Sequence, residues 1–197
     1  MGRDENSTLA TLRLAVTSTS HLPHIQPMPR IFRPAHCLES VTCLTLDWLA
    51  ELEIDALLLD ADCTLKRYRE TTVSEDVAHW LDQMRRGGIG LCLVSNGRGR
   101  RIEKFAGTVE LPFVAKACKP RPGGLKRAIR ENGFDRRRTA MVGDQLLADI
   151  VAGNLAGLTT FFVRPIHPEE EQWFTRIKRP PERWLLRLMG LGQWVPH

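Results

Sequence analysis

Short apolar runs alternate with amphipathic stretches along most of the chain, which predicts strands and helices in turn. Residues 54–59 are almost continuously apolar, as in strands buried on both faces. Further strands are predicted at 89–94, 113–115, 139–142 and 159–163, after a strand-like piece at 40–44. Helices are predicted at 47–52, 75–86, 99–106, 123–132 and 146–156. The alternation predicts an α/β fold, with a five-stranded parallel sheet and helices on both faces.

Polar residues follow four of these strands: Asp60 and Asp62, Ser95 and Asn96, Lys119, and Asp144. Ligands of open parallel sheets bind at the carboxyl ends of the strands. We therefore expect these residues to share one crevice, where four separate signals coincide.

Two carboxylates stand together at the end of the first strand. Asp60 and Asp62 are two residues apart, so extended backbone would direct them to the same side. Like charges placed so close repel each other. By themselves they could be a solvated pair at a strand end, but the polar groups at the other strand ends favour a cation or a reaction that uses both.

The crevice offers oxygen ligands, a hydroxyl and a lysine, which suit a hard cation such as Mg²⁺ and a phosphate group. The reaction that fits this set is phosphoryl transfer through an aspartyl phosphate. Asp60 would be the nucleophile, Asp62 would move the proton, and Lys119 would stabilise charge on the phosphoryl oxygens.

Four segments carry a resemblance to a known family: Asp60 to Thr64, Ser95-Asn96, Lys119-Pro120 and Gly143 to Asp149. They resemble motifs I to IV of the haloacid dehalogenase (HAD) phosphatases. Residues 113–120 and 153–158 are similar to subfamily IIIA, the YqeG type. The resemblance covers roughly residues 30–175 and implies a Rossmann-like HAD fold.

The resemblance also implies roles for single residues. Asp60 is the nucleophile and Asp62 the acid/base, while Thr64, Ser95, Asn96 and Lys119 bind the phosphoryl group. Mg²⁺ would be held by Asp60, the backbone carbonyl of Asp62, and Asp144. Asp149 is expected to support the site from behind these groups.

HAD relatives select small substrates with cap domains inserted after motif I or motif II. The intervals 65–95 and 96–119 are each filled by predicted elements of the sheet and its helices, so no cap is expected. An uncapped crevice favours a phosphate on a macromolecule or at a membrane surface. The excess of basic residues between 116 and 138 favours an anionic substrate, although Arg136 to Arg138 could equally be a solvated loop.

We divide the chain into an extension at 1–28, expected to be disordered, a phosphatase domain at 29–165, and a basic, Trp-rich helical tail at 166–197. The tail segment 184–191 is apolar with basic and Trp flanks, a composition typical of helices at membrane interfaces. The tail contributes the basic residues Arg176, Lys178, Arg179, Arg183 and Arg187, of which Arg187 lies inside the segment, and the flanking residues Trp173 and Trp194. The alternative is that this segment packs on the sheet or on a second subunit.

Composition limits the cellular setting. Five cysteines without a C-x-x-C pair argue against a disulfide scaffold or structural zinc and favour a cytoplasmic protein. No apolar run approaches the roughly 18 residues of a membrane span. We expect at most peripheral contact with a membrane, and the sequence leaves the oligomeric state open.

Subfamily IIIA includes phosphatidylglycerophosphate phosphatases, so the resemblance favours this lipid as substrate and phosphatidylglycerol as product. Two alternatives stay open. The same chemistry could act on a nucleic-acid terminus or a soluble phosphoester, although the chain lacks an RNA-binding signature. The fold could instead serve as a non-catalytic binding module in RNA–protein assembly, although every catalytic residue type is present.

Overall fold

The apolar run before Asp60 becomes a central strand of a parallel sheet in the computed structural model. The structure describes residues 29–68, 70–170 and 179–194. The predicted extension at 1–28 lies outside the described residues. All four residues of the strand Ala56–Leu59 are buried, as their apolar character predicts.

Strands and helices alternate along the described chain. The strands are β1 (His36–Leu38), β2 (Ala56–Leu59), β3 (Gly90–Val94), β4 (Phe113–Val114), β5 (Thr139–Gly143) and β6 (Thr159–Val163). The helices are α1 (Leu46–Glu51), α2 (Glu75–Arg86), α3 (Gly99–Val109), α4 (Gly123–Asn132), α5 (Val151–Ala156) and α6 (Arg179–Leu188). A π-helical turn, Leu146–Ile150, leads into α5.

The sheet has the order β1-β6-β5-β2-β3-β4, and all its strand pairs are parallel. This confirms the predicted α/β architecture, with six strands where five were predicted. The additional strand is β1, which pairs with β6. The prediction of a strand-like piece at 40–44 is wrong, because Val41–Cys43 forms a 3₁₀ turn there. The hydroxyl of Ser40 accepts a hydrogen bond from the backbone N–H of Thr42 and favours the turn over a strand.

Apolar clusters cover both faces of the sheet. Leu57 and Leu59 belong to one cluster, which also contains Trp80. Leu58, between them, belongs to a second cluster with Leu125. Neighbouring strand residues point to opposite faces, so this division explains why the whole of β2 is apolar.

The helix α2 has the bounds that the sequence predicted, and the predicted stripe is buried: Val77, Trp80, Leu81 and Met84. The indole N–H of Trp80 donates to the carbonyl of Leu44 at 2.8 Å, so its polar atom is satisfied in the core. Ser74 occupies the N-cap position, but its side chain makes no capping hydrogen bond. The helix α3 continues to Val109, three residues beyond the predicted end.

The central strands end at the same edge of the sheet. The backbone N–H of Asp60 donates to the carbonyl of Val142 at 2.9 Å, so the β2–β5 ladder continues into the acidic segment. The N–H of Ser95 donates to the carbonyl of Val114 at 3.0 Å, which extends the β3–β4 ladder in the same way. The backbone thereby fixes where the polar side chains begin.

Candidate active site

Lys119 is the centre of a buried polar cluster at this edge. Its Nζ lies 2.6 Å from Asp60 Oδ1, 2.6 Å from Asp149 Oδ1 and 2.6 Å from the carbonyl oxygen of Val94. The three partners match the three N–H donors of an ammonium group. Burial alone lowers the pKa of Lys119, but the two carboxylates outweigh it, so the pKa lies above its usual value and the side chain is charged.

Asn96 holds the backbone of Lys119 with both ends of its amide. Its Oδ1 accepts from the Lys119 N–H at 2.8 Å, and its Nδ2 donates to the Lys119 carbonyl at 2.9 Å. Ser95 is buried, and its hydroxyl oxygen accepts from the N–H of Gly97 at 3.1 Å. The turn after β3 therefore positions the lysine. The phosphate contacts predicted for Ser95 and Asn96 stay predictions.

Asp144 is fully buried at the end of β5 and is held from two sides. Its Oδ1 accepts from the hydroxyl of Thr64 at 3.0 Å, and its Oδ2 lies 2.5 Å from the guanidinium of Arg179. The sequence predicted that Thr64 binds phosphate, whereas its hydroxyl donates to Asp144 in this structure. Arg179 was predicted only as a residue of the tail, because no local pattern indicates a contact with Asp144, 35 positions earlier in the chain.

Three buried acids form a group that could hold a metal ion: Asp60, Asp144 and Asp149. One carboxylate oxygen from each lies within 4.8 Å of the others. Burial raises the pKa of Asp60 to about 7, and the Asp149 charge adds to this while Lys119 opposes it. Burial likewise raises the pKa of Asp149. A bound cation would reverse both directions, because it stabilises the charged carboxylates.

Asp149 contacts Lys119 directly and belongs to the group of three acids, whereas the sequence placed it behind these groups. Besides Lys119, it contacts the backbone N–H of Gln145, which donates to Oδ2 at 3.0 Å. Gly143 makes room for it, because a Cβ at that position would overlap the Asp149 carboxyl group. A side chain at position 143 would therefore displace the Asp149 carboxyl group.

Asp62 is outside the group of three acids, and its carboxylate faces two cations. Arg101 donates to Oδ1 at 2.7 Å and to Oδ2 at 2.5 Å, and the Nζ of Lys66 lies 2.6 Å from Oδ1. Burial raises the pKa of Asp62, but Arg101 and Lys66 together hold it below the usual value. Sequence reasoning missed both cations. The helical spacing of α3 indicates which of its residues are buried, but not that Arg101 reaches Asp62.

The C-terminal helix packs on the domain with part of its surface. Leu186, Met189 and Trp194 are buried in a cluster with Ile150 and Phe162. Trp194 and Arg179, two of the residues expected beside the membrane-facing segment, are buried, while the membrane contact predicted for that segment stays a prediction. Trp184 and Leu188 are 61% and 39% exposed.

Other residues of the tail prediction, Trp173, Arg176 and Lys178, lie outside the described residues. Within the ranges that the structure does describe, none of the helices has the length and apolar character to cross a bilayer.

Two comparisons relate the sequence of this chain to known proteins. The family model described as HAD-hydrolase-like matches residues 116–166, the segment that carries Lys119, Asp144 and Asp149. The chain is 29% identical over 170 residues to the Bacillus subtilis (strain 168) protein named "Probable phosphatase YqeG". That alignment covers 85% of this chain and 98% of the relative.

Two solved structures represent the similarity in fold. One has a TM-score of 0.51 and 16% identity, covering 71% of this chain and 90% of that chain. The other is 3-deoxy-D-manno-octulosonate 8-phosphate phosphatase from Moraxella catarrhalis in complex with magnesium ion, phosphate ion and KDO. It has a TM-score of 0.46 and 12% identity, covering 76% of this chain and 96% of that chain. Identities this low compare the fold alone.

The parallel sheet, the matched segment around Lys119 and the similarity to YqeG over 85% of the chain point in the same direction. The chain is similar to HAD-like hydrolases over residues 116–166 and to the probable phosphatase YqeG over most of its length.

Proposed function

We propose that this protein is a Mg²⁺-dependent phosphomonoester hydrolase that works through an aspartyl phosphate on Asp60. The observation that carries the proposal is the group of Asp60, Asp144 and Asp149 around the buried ammonium of Lys119. A core built for stability alone gains little from three buried acids and one base, because desolvation of the charges opposes their attraction.

The residues fit a magnesium ion. Mg²⁺ prefers oxygen ligands and is bound through a few carboxylates together with water and substrate phosphate. Asp60 and Asp144, with the backbone carbonyl of Asp62, would hold it, and Asp149 is close enough to contribute. When bound, the ion would offset the repulsion between the carboxylates and an incoming phosphate.

In the first step a carboxylate oxygen of Asp60 attacks phosphorus and the bond from phosphorus to the leaving oxygen breaks. Lys119 lies against Asp60 and would stabilise charge on the phosphoryl oxygens. Asp62, in its protonated form, gives its proton to the leaving oxygen.

In the second step Asp62, now a carboxylate, takes a proton from a water molecule that attacks phosphorus. The bond between Asp60 and phosphorus breaks and inorganic phosphate leaves. In the described arrangement Asp62 is bonded to Arg101 and Lys66, so both steps require the Asp62 side chain to turn toward the crevice.

Substitution Asp60→Asn tests the nucleophile, because an amide of the same size cannot form the aspartyl phosphate. We expect phosphate release from p-nitrophenyl phosphate with Mg²⁺ to be abolished. Asp47→Asn, in the exposed first turn of α1, is the matched control and should keep full activity. Turnover by the Asp60→Asn variant at the wild-type rate would refute the proposal.

Phosphatidylglycerophosphate is the substrate that we favour. The described residues between β2 and β3 form the loop and α2, and those between β3 and β4 form α3 and a short connection, so the crevice has no inserted cap there. Trp184 and Leu188 are four residues apart, so they share one exposed face of α6. An apolar helix face of this kind could rest on the interface of a lipid bilayer and bring a lipid phosphate to the crevice.

A substrate panel tests this choice. It would compare phosphatidylglycerophosphate in mixed micelles, a 5′-phosphorylated oligonucleotide and a soluble sugar phosphate. We expect kcat/KM to be highest for the lipid, and to fall for the lipid alone in a Trp184→Ser/Leu188→Ser double variant. Leu155→Ser, an exposed leucine on α5, is the control. A preference for either of the other two substrates would overturn the lipid assignment.

A further inference from the structure

Arg179 joins the C-terminal helix to the acidic group of the crevice. It is only 6% exposed, although it is the first residue of α6. One guanidinium nitrogen lies 2.5 Å from Asp144 Oδ2, and the other donates to the Asp144 backbone carbonyl at 2.9 Å. The planar fork of the arginine therefore holds both the side chain and the main chain of Asp144.

Glu182 completes the arrangement one helical turn later. Its Oε2 accepts from Arg179 at 3.3 Å, and its Oε1 accepts from the N–H of Leu147 at 2.9 Å. Leu147 lies in the turn that follows Asp144. Glu182 thus ties α6 to the same loop and balances the charge of Arg179.

Apolar contacts fix the distance between α6 and this loop. Leu186 and Met189 are buried in one cluster with Leu146 and Ile150, which flank Leu147 in the chain. The helix cannot shift by much without opening this cluster. Protein interiors are close-packed, so a shift would leave voids between these side chains. Arg179 therefore presents its fork to Asp144 from a rigid support.

We propose that Arg179 is a positioning residue that orients Asp144 for cation binding, which makes the C-terminal helix part of the metal site. The inference rests on the proposed function, since Asp144 is there a magnesium ligand. Groups that hydrogen-bond to a ligating carboxylate fix its orientation and raise metal affinity. Thr64 restrains one oxygen of Asp144 and Arg179 the other.

A competing role, in which the guanidinium takes the place of the cation, fits the contacts less well. Arg179 also bonds to the backbone carbonyl of Asp144, which a mere substitute for the ion would not need. Glu182 contacts the guanidinium at 3.3 Å and, when ionised, offsets its charge beside the acids. Both observations favour orientation over displacement.

The test measures Mn²⁺ affinity directly, by the electron paramagnetic resonance signal of free Mn²⁺, with the full chain first freed of metal by a chelator. We expect Arg179→Met to weaken Mn²⁺ binding by about 10- to 100-fold. Arg179→Lys keeps the charge but loses the fork, so its affinity for Mn²⁺ should lie between that of the wild type and that of Arg179→Met. Arg130→Met, an exposed arginine on α4, is the matched control and should bind as the wild type does.

A kinetic measurement separates positioning from general damage. The Mn²⁺ concentration for half-maximal phosphatase activity should rise in Arg179→Lys while kcat at saturating Mn²⁺ recovers. A damaged fold would lower kcat at every concentration. Glu182→Gln leaves the charge of Arg179 unbalanced and should also weaken Mn²⁺ binding, which keeps the inference testable if Arg179→Met does not fold.

Unchanged or tighter Mn²⁺ binding in a folded Arg179 variant would overturn the inference, and so would a wild-type chain that binds no Mn²⁺. Affinity is measured without turnover, so its result is distinct from that of the Asp60→Asn experiment. Arg179-dependent Mn²⁺ binding by a chain without phosphatase activity would support this inference while refuting the proposed reaction.

Discussion

The guanidinium of Arg101 holds the carboxylate of Asp62 at both oxygens, at 2.7 Å and 2.5 Å. The pair lies at the boundary between the site and solvent, since the Arg101 side chain is 36% exposed and that of Asp62 is 13% exposed. Arg101 also lies over the ring of Tyr68, 5.1 Å from its centroid. The charge state of Asp62 therefore depends on a residue that solvent reaches.

Removal of this fork should change the titration of Asp62. We expect Arg101→Met to raise the pKa of Asp62, because the variant loses the hydrogen bonds and charge that hold the pKa low while burial, which raises it, remains. The measurement is the pH dependence of the Asp62 carboxyl ¹³C chemical shift. Arg100→Met, the exposed neighbour, is the control. Equal midpoints in wild type and Arg101→Met would contradict the prediction.

Lys119→Met should destabilise the protein most at high pH. The variant leaves Asp60 and Asp149 buried without their cation, and loss of one partner from a buried ion pair costs about 3–5 kcal/mol of unfolding free energy. The folded-state pKa of Asp60 is already about 7, above the unfolded value of 3.8, and it rises further without the ammonium. Folding therefore takes up protons, and stability falls as pH rises through this range.

Urea unfolding at pH 5 and pH 8 in the presence of a chelator measures this effect. The loss of unfolding free energy in Lys119→Met should be smaller at pH 5, where both acids can be protonated. Lys126→Met removes an exposed lysine from α4 and should have little effect at either pH. A penalty that is the same at both pH values would show that Asp60 and Asp149 do not depend on Lys119 for their charge.

Gly143→Ala should disturb the site through sterics alone. The new Cβ overlaps the Asp149 carboxyl group, so Asp149 must move away from Lys119. We expect a loss of about 1–3 kcal/mol in unfolding free energy and a clear loss of phosphatase activity. In Gly107→Ala the Cβ meets nothing within 4 Å. This control, inside α3, should gain up to about 1 kcal/mol from helix propensity and keep its activity.

The cysteines should differ sharply in reactivity. Cys43 and Cys118 are exposed, whereas burial raises the pKa of Cys37 and of Cys92 to about 12. Because the thiolate is the reactive form, iodoacetamide at pH 8 should alkylate Cys43 and Cys118 in the native protein and spare Cys37 and Cys92. Peptide mass spectrometry gives the sites, and denatured protein is the control. Rapid native modification of Cys92 would contradict its buried place in β3.

Much of the architecture could be predicted because it depends on local patterns. The residues of β2, which the apolar run at 54–59 predicted to be buried, are buried, and so is the predicted apolar stripe of α2. The error at 40–44 arose because Ser40 competes locally for a backbone N–H, which apolar periodicity does not reveal. The strand β1 is three residues long and is defined by pairing with β6, so the sequence around it carried little signal.

The sequence by itself determined which residue types stand at the strand ends, and through the parallel sheet it determined that Asp60, Ser95 and Asp144 lie at one edge. Only the tertiary structure decided their partners. Arg101 faces Asp62 from a helix, and Arg179 reaches Asp144 from the far end of the chain. The physical reason is that backbone pairing follows local periodicity, whereas side-chain contacts between distant segments depend on how the helices pack against the sheet.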